Sequence, residues 1–254
     1  NYGQNATFGL GYGNQIYGKI NGSFTYNRRK GKTNVYATYG NNFSEDWGYM
    51  RFYKEQNDIF FDQRTYSLYK DQSHYGKAGI DISINDKNTI GISVNTNVAN
   101  NFSDSHGSTP IGSVALGAGI DSTLEASSIS DGYRNNYGAN VNYQWKGEND
   151  KEFTVDANYG IYDIDNKNFQ PNRYIGSNGI LLNERNYQNN TATQINIAVV
   201  RADYSFNWKK IKWEAGMKGT QVNTNNKLDF FNVVGNNLEV DSNLTNSFEY
   251  KERV

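Results

Sequence analysis

Hydrophobic and polar residues alternate with a period of two along most of this chain. In residues 77–84 the even positions are aliphatic, while the odd positions are Lys77, Gly79, Asp81 and Ser83. Successive side chains of a β-strand point to opposite faces, so this alternation predicts strands with one apolar and one polar face.

Short turns join pairs of these alternating segments. Residues 90–98 repeat the pattern with Ile90, Ile92 and Val94, and the intervening residues 85–88 read Asn-Asp-Lys-Asn, all turn formers. Two alternating strands joined by so short a turn predict a β-hairpin. Hairpins of the same kind recur along the chain, and together they predict an all-β, antiparallel fold with about ten strands.

The predicted connections alternate between short and long. The short turns lie near residues 29–32, 85–88, 146–150 and 209–210. The long polar segments lie near residues 43–72, 104–132, 166–192 and 229–242. Transmembrane β-barrels have short periplasmic turns and long extracellular loops, so residues 1–254 are predicted to be a barrel segment with this sidedness. A large soluble antiparallel sheet remains the alternative, and the loop asymmetry weighs against it.

Aromatic residues recur beside the short turns and at positions that share the apolar face. Rings at that level are expected of the interfacial girdle of a membrane barrel. The girdle candidates are Tyr26, Tyr143, Trp145, Phe153, Phe206, Trp208 and Trp213.

The opposite face is small, polar and rich in Gly and Asn, as expected of a barrel lumen. Its charged positions are the lumen-facing candidates, Asp81, Asp156, Arg201, Asp203, Lys212, Glu214 and Lys218. They suit either an ion-paired inner wall, which we favour, or a specific substrate path.

One of the long segments is dense in aromatic residues. Exposed rings are frequent anchors in binding sites, and these rings are candidates for ligand contact in an extracellular loop. They are Trp47, Tyr49, Phe52, Tyr53, Phe60, Phe61, Tyr66 and Tyr69. The favoured alternative is that strands extend beyond the membrane here and the rings pack on one another.

Composition excludes several other classes of protein. Aromatic residues make up 15 % of the chain, which is too many for a disordered segment. The net charge of −1 argues against nucleic-acid binding. The absence of cysteine excludes a disulfide scaffold, and no apolar run is long enough for a membrane helix. His74 and His106 lie in no catalytic or metal-binding motif, so we expect no enzyme activity, cofactor or metal.

Several segments together resemble the barrels of TonB-dependent receptor-like proteins. They are Gly9–Gly13 with Asn21–Asn27, Ile84–Gly91, Ala202–Tyr204 with Trp213–Lys218, and Phe248–Glu252. The resemblance implies a cell outer membrane location and a barrel of roughly 22 strands with a plug domain. It also implies uptake of a nutrient energised through TonB, which would act through a plug that this chain does not contain.

Two functions follow as expectations. The first is a TonB-dependent receptor that takes up an unidentified nutrient. The second is a structural or assembly barrel in a larger outer-membrane complex without transport of its own. The expected partners are outer-membrane lipid and, according to the function, TonB or a surface lipoprotein and other complex subunits. Because residues 244–254 alternate like a strand, we also expect further strands after them.

Overall fold

The structure is a computed structural model, and it describes residues 2–114, 119–209 and 211–254. The described residues form one antiparallel sheet of eleven strands in sequence order. The strands are β1 (Tyr2–Asn14), β2 (Gly18–Lys30), β3 (Thr33–Gln56), β4 (Ile59–Asn85), β5 (Asn88–Ser113), β6 (Ile120–Lys146), β7 (Glu152–Gly176), β8 (Leu181–Trp208), β9 (Ile211–Val234), β10 (Asn237–Val240) and β11 (Asn246–Arg253).

The last two strands share one position in the sheet. β10 pairs with residues 231–234 of β9, and β11 pairs with residues 221–228 of the same strand. Eleven strands therefore occupy ten positions, close to the predicted number. Among the described residues the sheet is open, because no pairing joins β1 to β10 or β11.

Four of the connections join strands at one end of the sheet, which we call the short-turn end. Its turns lie at Gly31-Lys32, at Asp86-Lys87, between Lys146 and Glu152, and at Lys209. Gly31 and Lys209 have positive φ angles of 59° and 58°, as tight turns require. These turns agree with the predicted positions, although Lys210 lies outside the described residues.

The four long polar segments, which were predicted as extracellular loops, consist largely of strands; for residues 43–72 strand extension was already the favoured alternative. Strands β3 to β9, which are 24 to 28 residues long in total, extend into them, and β10 lies in the last one. Residues 43–72, for example, are two paired strands joined by Asn57-Asp58, whose φ angles of 52° and 61° suit a two-residue hairpin turn. Residues 115–118, within the predicted loop 104–132, lie outside the described residues. We call the part of the sheet that lies farther from the short-turn end than residue 43 of β3, including the corresponding parts of the neighbouring strands, the extension.

Polar composition explains why the extension resembled loops. A strand forms through backbone hydrogen bonds with its neighbours, and polar side chains are compatible with it. Asn- or Ser-rich strands, however, lack the apolar alternation by which a strand is recognised in a sequence.

Cross-strand register places the predicted apolar residues on one face. Val35, Ile80 and Ile92 are successive directly opposed partners, and the row continues through Val141 and Ala157. We call this the apolar face and the opposite side the polar face.

The apolar residues form a band next to the short-turn end. In β7 the band covers alternate residues from Phe153 to Ile161, and in β8 from Trp208 to Ala198. A transmembrane strand needs about 9–11 residues, so the band has the height of a membrane core.

The strands are staggered across the sheet. Along the row that joins Val35 to Val200, the short-turn end lies two residues away in β3, at Thr33, and eight residues away in β8, at Trp208. The stagger is therefore about one residue, ~3.3 Å, for each strand spacing of ~4.8 Å, which corresponds to a tilt of about 35°. Tilt of this size is needed to close a sheet into a barrel.

Very few side chains are buried. Ala99 is the only buried hydrophobic residue among those described, and large apolar residues such as Leu10 and Met217 are more than 70 % exposed in the isolated sheet. A wall that is one sheet thick has no core of its own, so its apolar face needs a cover such as lipid.

Candidate functional site

The seven lumen-facing candidates all lie on the polar face near the short-turn end. One cross-strand row contains Asp156, then Arg201 opposite it, then Lys218 opposite Arg201. On the other side of Asp156 the row continues through Asn142 and Gly91 to Asp81. Asp203, Glu214 and Lys212 follow in the next rows toward the turn. The sheet therefore brings together residues that are up to 137 positions apart in sequence.

Most of these charges are paired along their own strands. The Arg201 guanidinium donates two hydrogen bonds to Asp203, of 2.6 Å from Nε and 3.0 Å from Nη2. The Lys212 ammonium forms an ion pair with Glu214, two residues away on the same strand. Asn34 Nδ2 donates to Asp81 Oδ2 at 3.4 Å. This arrangement favours an ion-paired wall.

Amide side chains dominate the polar face at the level of the apolar band. Asn142 Nδ2 donates to Asn140 Oδ1 at 3.1 Å, and Asn140 Nδ2 donates to Asn158 Oδ1 at 2.8 Å. Further polar-face amides are Asn5, Asn21, Asn27, Asn34, Asn95 and Asn97. An amide both donates and accepts hydrogen bonds, so such a surface suits uncharged polar solutes and water.

All seven girdle candidates lie on the apolar face. Trp145 is directly opposed to Phe153, and Phe206 to Trp213, both within a few residues of the short turns. Trp208 lies beside the turn, with the Lys209 ammonium 5.4 Å from its ring centroid. An aromatic belt with cations beyond it is typical of a membrane interface.

The eight aromatic residues of the predicted ligand loop are divided between the two faces. Trp47, Tyr49, Tyr53, Phe60 and Tyr66 share the side of the apolar face, whereas Phe52, Phe61 and Tyr69 share the polar side. Ring pairs form between strands: Tyr49 and Tyr66 lie 4.8 Å apart, and Tyr53 and Phe60 lie 6.3 Å apart. The rings therefore pack on one another across a hairpin and do not converge on one pocket.

A charged cluster in the extension was missed from sequence. Asp62, whose side chain is 10 % exposed, accepts from Arg51 Nε at 2.6 Å and from Arg64 Nη2 at 2.6 Å. Hydrogen bonds from Arg51 and then Arg64 hold the pKa of Asp62 below its usual value of 3.8. The hydrogen bond with Asp62 in turn raises the pKa of Arg51. No spacing in the sequence identified it, because Arg51 and Arg64 are opposed only through the register of β3 and β4.

Neither metal sites nor membrane helices occur within the described ranges. No group of three or more His, Cys, Asp or Glu side chains there is arranged to hold a metal ion. No helix of the described residues is long and apolar enough to cross a membrane.

Comparison with known proteins bears on this geometry. Residues 144–254 match the outer membrane protein beta-barrel family. The match covers 111 of the 254 residues, and it places the chain in the outer membrane. This location implies contact with outer-membrane lipid, and the exposed apolar band is the part of the sheet suited to that contact.

Two solved structures have low similarity to the chain. One is the crystal structure of OccK9 (OpdG) from Pseudomonas aeruginosa, with 6 % identity, a TM-score of 0.13, and coverage of 99 % of this chain and 97 % of that chain. The other is a BenF-like porin from Pseudomonas fluorescens Pf-5, with 7 % identity, a TM-score of 0.12 and the same coverage. No curated protein matches the sequence.

Proposed function

We propose that this chain forms part of the wall of an outer-membrane transporter that takes up a polar nutrient, with energy supplied through TonB. The amide-rich polar face supports this most directly. It extends across the sheet at the level of the apolar band, where the side chains of Asn140, Asn142 and Asn158 are hydrogen-bonded to one another. In a closed barrel this face lines the lumen.

The proposed orientation places the short-turn end in the periplasm and the extension outside the cell. The apolar band lies against the short turns, and the strands continue far beyond it on the other side only. Short periplasmic turns and a large extracellular part are the usual arrangement in outer-membrane barrels.

TonB enters the proposal through the resemblance of the sequence to TonB-dependent receptor-like barrels. The paired charges near the short-turn end suit contact with a plug, because Arg201 and Asp203 neutralise each other and leave a polar, nearly uncharged wall. In this proposal TonB acts through the plug and not on the sheet.

A growth experiment tests this function. Strains lacking the whole gene, or lacking TonB, are compared with the parent on a panel of single nutrient sources. We expect both deletions to impair growth on the same source, and a plasmid copy of the gene to restore only the first strain. Growth of the gene deletion at the parental rate on every source would overturn the proposal.

One observation favours a second candidate, a barrel that serves as a structural subunit. Trp47, Tyr49 and Tyr66 lie on the outward side of the extension and are 46 %, 46 % and 57 % exposed, beyond the apolar band. Exposed aromatic residues outside the lipid core are typical of protein interfaces. Stoichiometric copurification of other subunits, together with normal uptake in the gene deletion, would favour this candidate.

A further inference from the structure

Three consecutive cross-strand pairs line a concavity on the polar face of the extension. The pairs are Gln170–Tyr187, Asn172–Arg185 and Tyr174–Asn183, all between β7 and β8. Together with Leu182, these side chains line a cavity of about 670 Å³. Two tyrosines stand at its opposite ends, and an arginine and amides lie between them.

The arginine of this cavity has no acidic partner. Within the part of the chain that the structure describes, no carboxylate lies within 4.0 Å of the exposed Arg185 guanidinium. By contrast, Arg51 and Arg201 are each bound to an aspartate. A free guanidinium presents a planar fork of donors that matches a carboxylate.

The central amide of the cavity, Asn172, is held in place by the backbone. Asn172 Nδ2 donates to the carbonyl oxygens of Gln170 and Arg185, at 3.0 and 3.2 Å. Its Oδ1 is therefore directed away from these contacts and can accept from a hydroxyl group. Fixed amide groups of this kind orient ligands that carry several hydroxyls.

The tyrosines supply flat apolar surfaces at both ends. Tyr187 is supported by Phe230 of β9, with ring centroids 5.6 Å apart, and Tyr174 is half-buried. The cross-strand pair that contains Tyr187 and the pair that contains Tyr174 are four residues apart along the strands, or ~13 Å. That distance exceeds one sugar ring, so the site suits a short oligomer.

We propose that this cavity binds an acidic oligosaccharide, with Arg185 on a carboxylate, the amides on hydroxyls, and Tyr174 and Tyr187 on the sugar faces. The inference rests on the proposed transport function and names its substrate class. An acidic peptide would also satisfy the arginine, but its backbone offers fewer hydroxyl-like partners for the amides, so the test includes one.

Calorimetric titration of the purified full-length barrel in detergent tests the proposal. The probes are trigalacturonate, the neutral sugar maltotriose, and the non-sugar anion triglutamate. We expect trigalacturonate to bind at least about tenfold more tightly than either of the others, because a charge-assisted hydrogen bond is worth about a factor of ten or more. Failure of trigalacturonate to bind, or equal binding of triglutamate, would overturn the proposal.

Two variants assign the roles. Arg185→Gln should weaken trigalacturonate binding about tenfold and leave maltotriose binding unchanged. The matched control is Arg173→Gln. Arg173 follows Asn172 in the chain, so its side chain is on the opposite face of the sheet, and its contact with Glu125 is 4.0 Å long. We expect the control to bind like the parent, and an equal loss in both variants would contradict a specific role for Arg185.

The second variant, Tyr174→Leu, keeps apolar bulk but removes the ring. It should weaken both sugars alike, and unchanged binding would remove Tyr174 from the site. Heat-modifiable migration on gels verifies that each variant is folded. If trigalacturonate binds but nutrient growth never depends on the gene, the proposed transport function fails while the site stands; if growth depends on the gene and trigalacturonate does not bind, only the site fails.

Discussion

The phenol ring of Tyr36 on β3 lies over Gly79, its directly opposed neighbour on β4. Four residues away the arrangement is reversed, because Tyr75 on β4 lies over Gly40 on β3. In both pairs the ring occupies the space that a Cβ atom on the glycine would need. The two tyrosines are thereby held flat against the polar face, where they cover the backbone and leave the proposed lumen open.

This relationship predicts that a methyl group on Gly79 is costly. Gly79→Ala should destabilise the barrel by about 1–3 kcal/mol, because the Tyr36 ring must leave its position. Unfolding by urea in detergent measures the change. The control is Gly76→Ala on the same strand. There the atom nearest to the added Cβ is Thr96 Cγ2, at an ordinary contact distance of 3.4 Å. If the ring is the cause, Gly79→Ala should cost less in a Tyr36→Ala background.

The two faces of the sheet should respond differently to a charge. Val141→Arg places a guanidinium in the middle of the apolar band, which costs about 2–4 kcal/mol near the bilayer midplane and should block membrane assembly, and Ile82→Arg, nearer the short-turn end, should impair assembly less. Ser83→Arg, next to Ile82 but on the polar face, should assemble normally. Heat-modifiable gel migration of outer-membrane fractions reads out assembly. Equal tolerance at both positions would contradict the assignment of faces.

The stagger of the strands predicts different depths for residues of one cross-strand row. Val35 and Val200 share a row, five strands apart. With a tilt of about 35°, spin labels on cysteines at these positions should differ in membrane depth by ~14 Å. A label at Ile92 should lie between them. Equal depths measured by oxygen and nickel relaxation would mean that the strands are not tilted.

Asp62 should stabilise the extension over a defined pH range. Its pKa is lowered in the folded state by Arg51 and Arg64. The carboxylate therefore stabilises the fold above its unfolded pKa, near 3.8, and this stabilisation is lost as the pH falls through the lower folded value. Protease resistance of the extension should accordingly be constant from about pH 5 to 8, where carboxylates are ionised.

Asp62→Asn should remove this effect, with faster cleavage of β3 and β4 already at neutral pH. Glu125→Gln is the control, since its contact with Arg173 is 4.0 Å long and both side chains are about half exposed. Cleavage of Asp62→Asn at the parental rate would mean that the two arginines need no counter-charge.

Which residues share a face, and where the short turns lie, can be inferred from the sequence alone. Alternation such as that of residues 77–84 assigns Ile80 and Ile82 to one face, because a slip of one residue would move both to the other face. The positions of the short turns can be predicted equally well, because runs of Asn, Asp, Gly and Lys interrupt that alternation.

The conformation of the polar segments and the contacts between distant side chains become apparent only in the folded sheet. Asn- and Ser-rich strands lack an apolar period, so the extension resembled loops, and the cavity around Arg185 was hidden in a predicted loop at residues 166–192. The contacts of Asp62 with Arg51 and Arg64, and of Tyr36 with Gly79, depend on the pairing of β3 with β4. Pairing register and strand stagger are properties of neighbouring strands, and no single segment of sequence contains them.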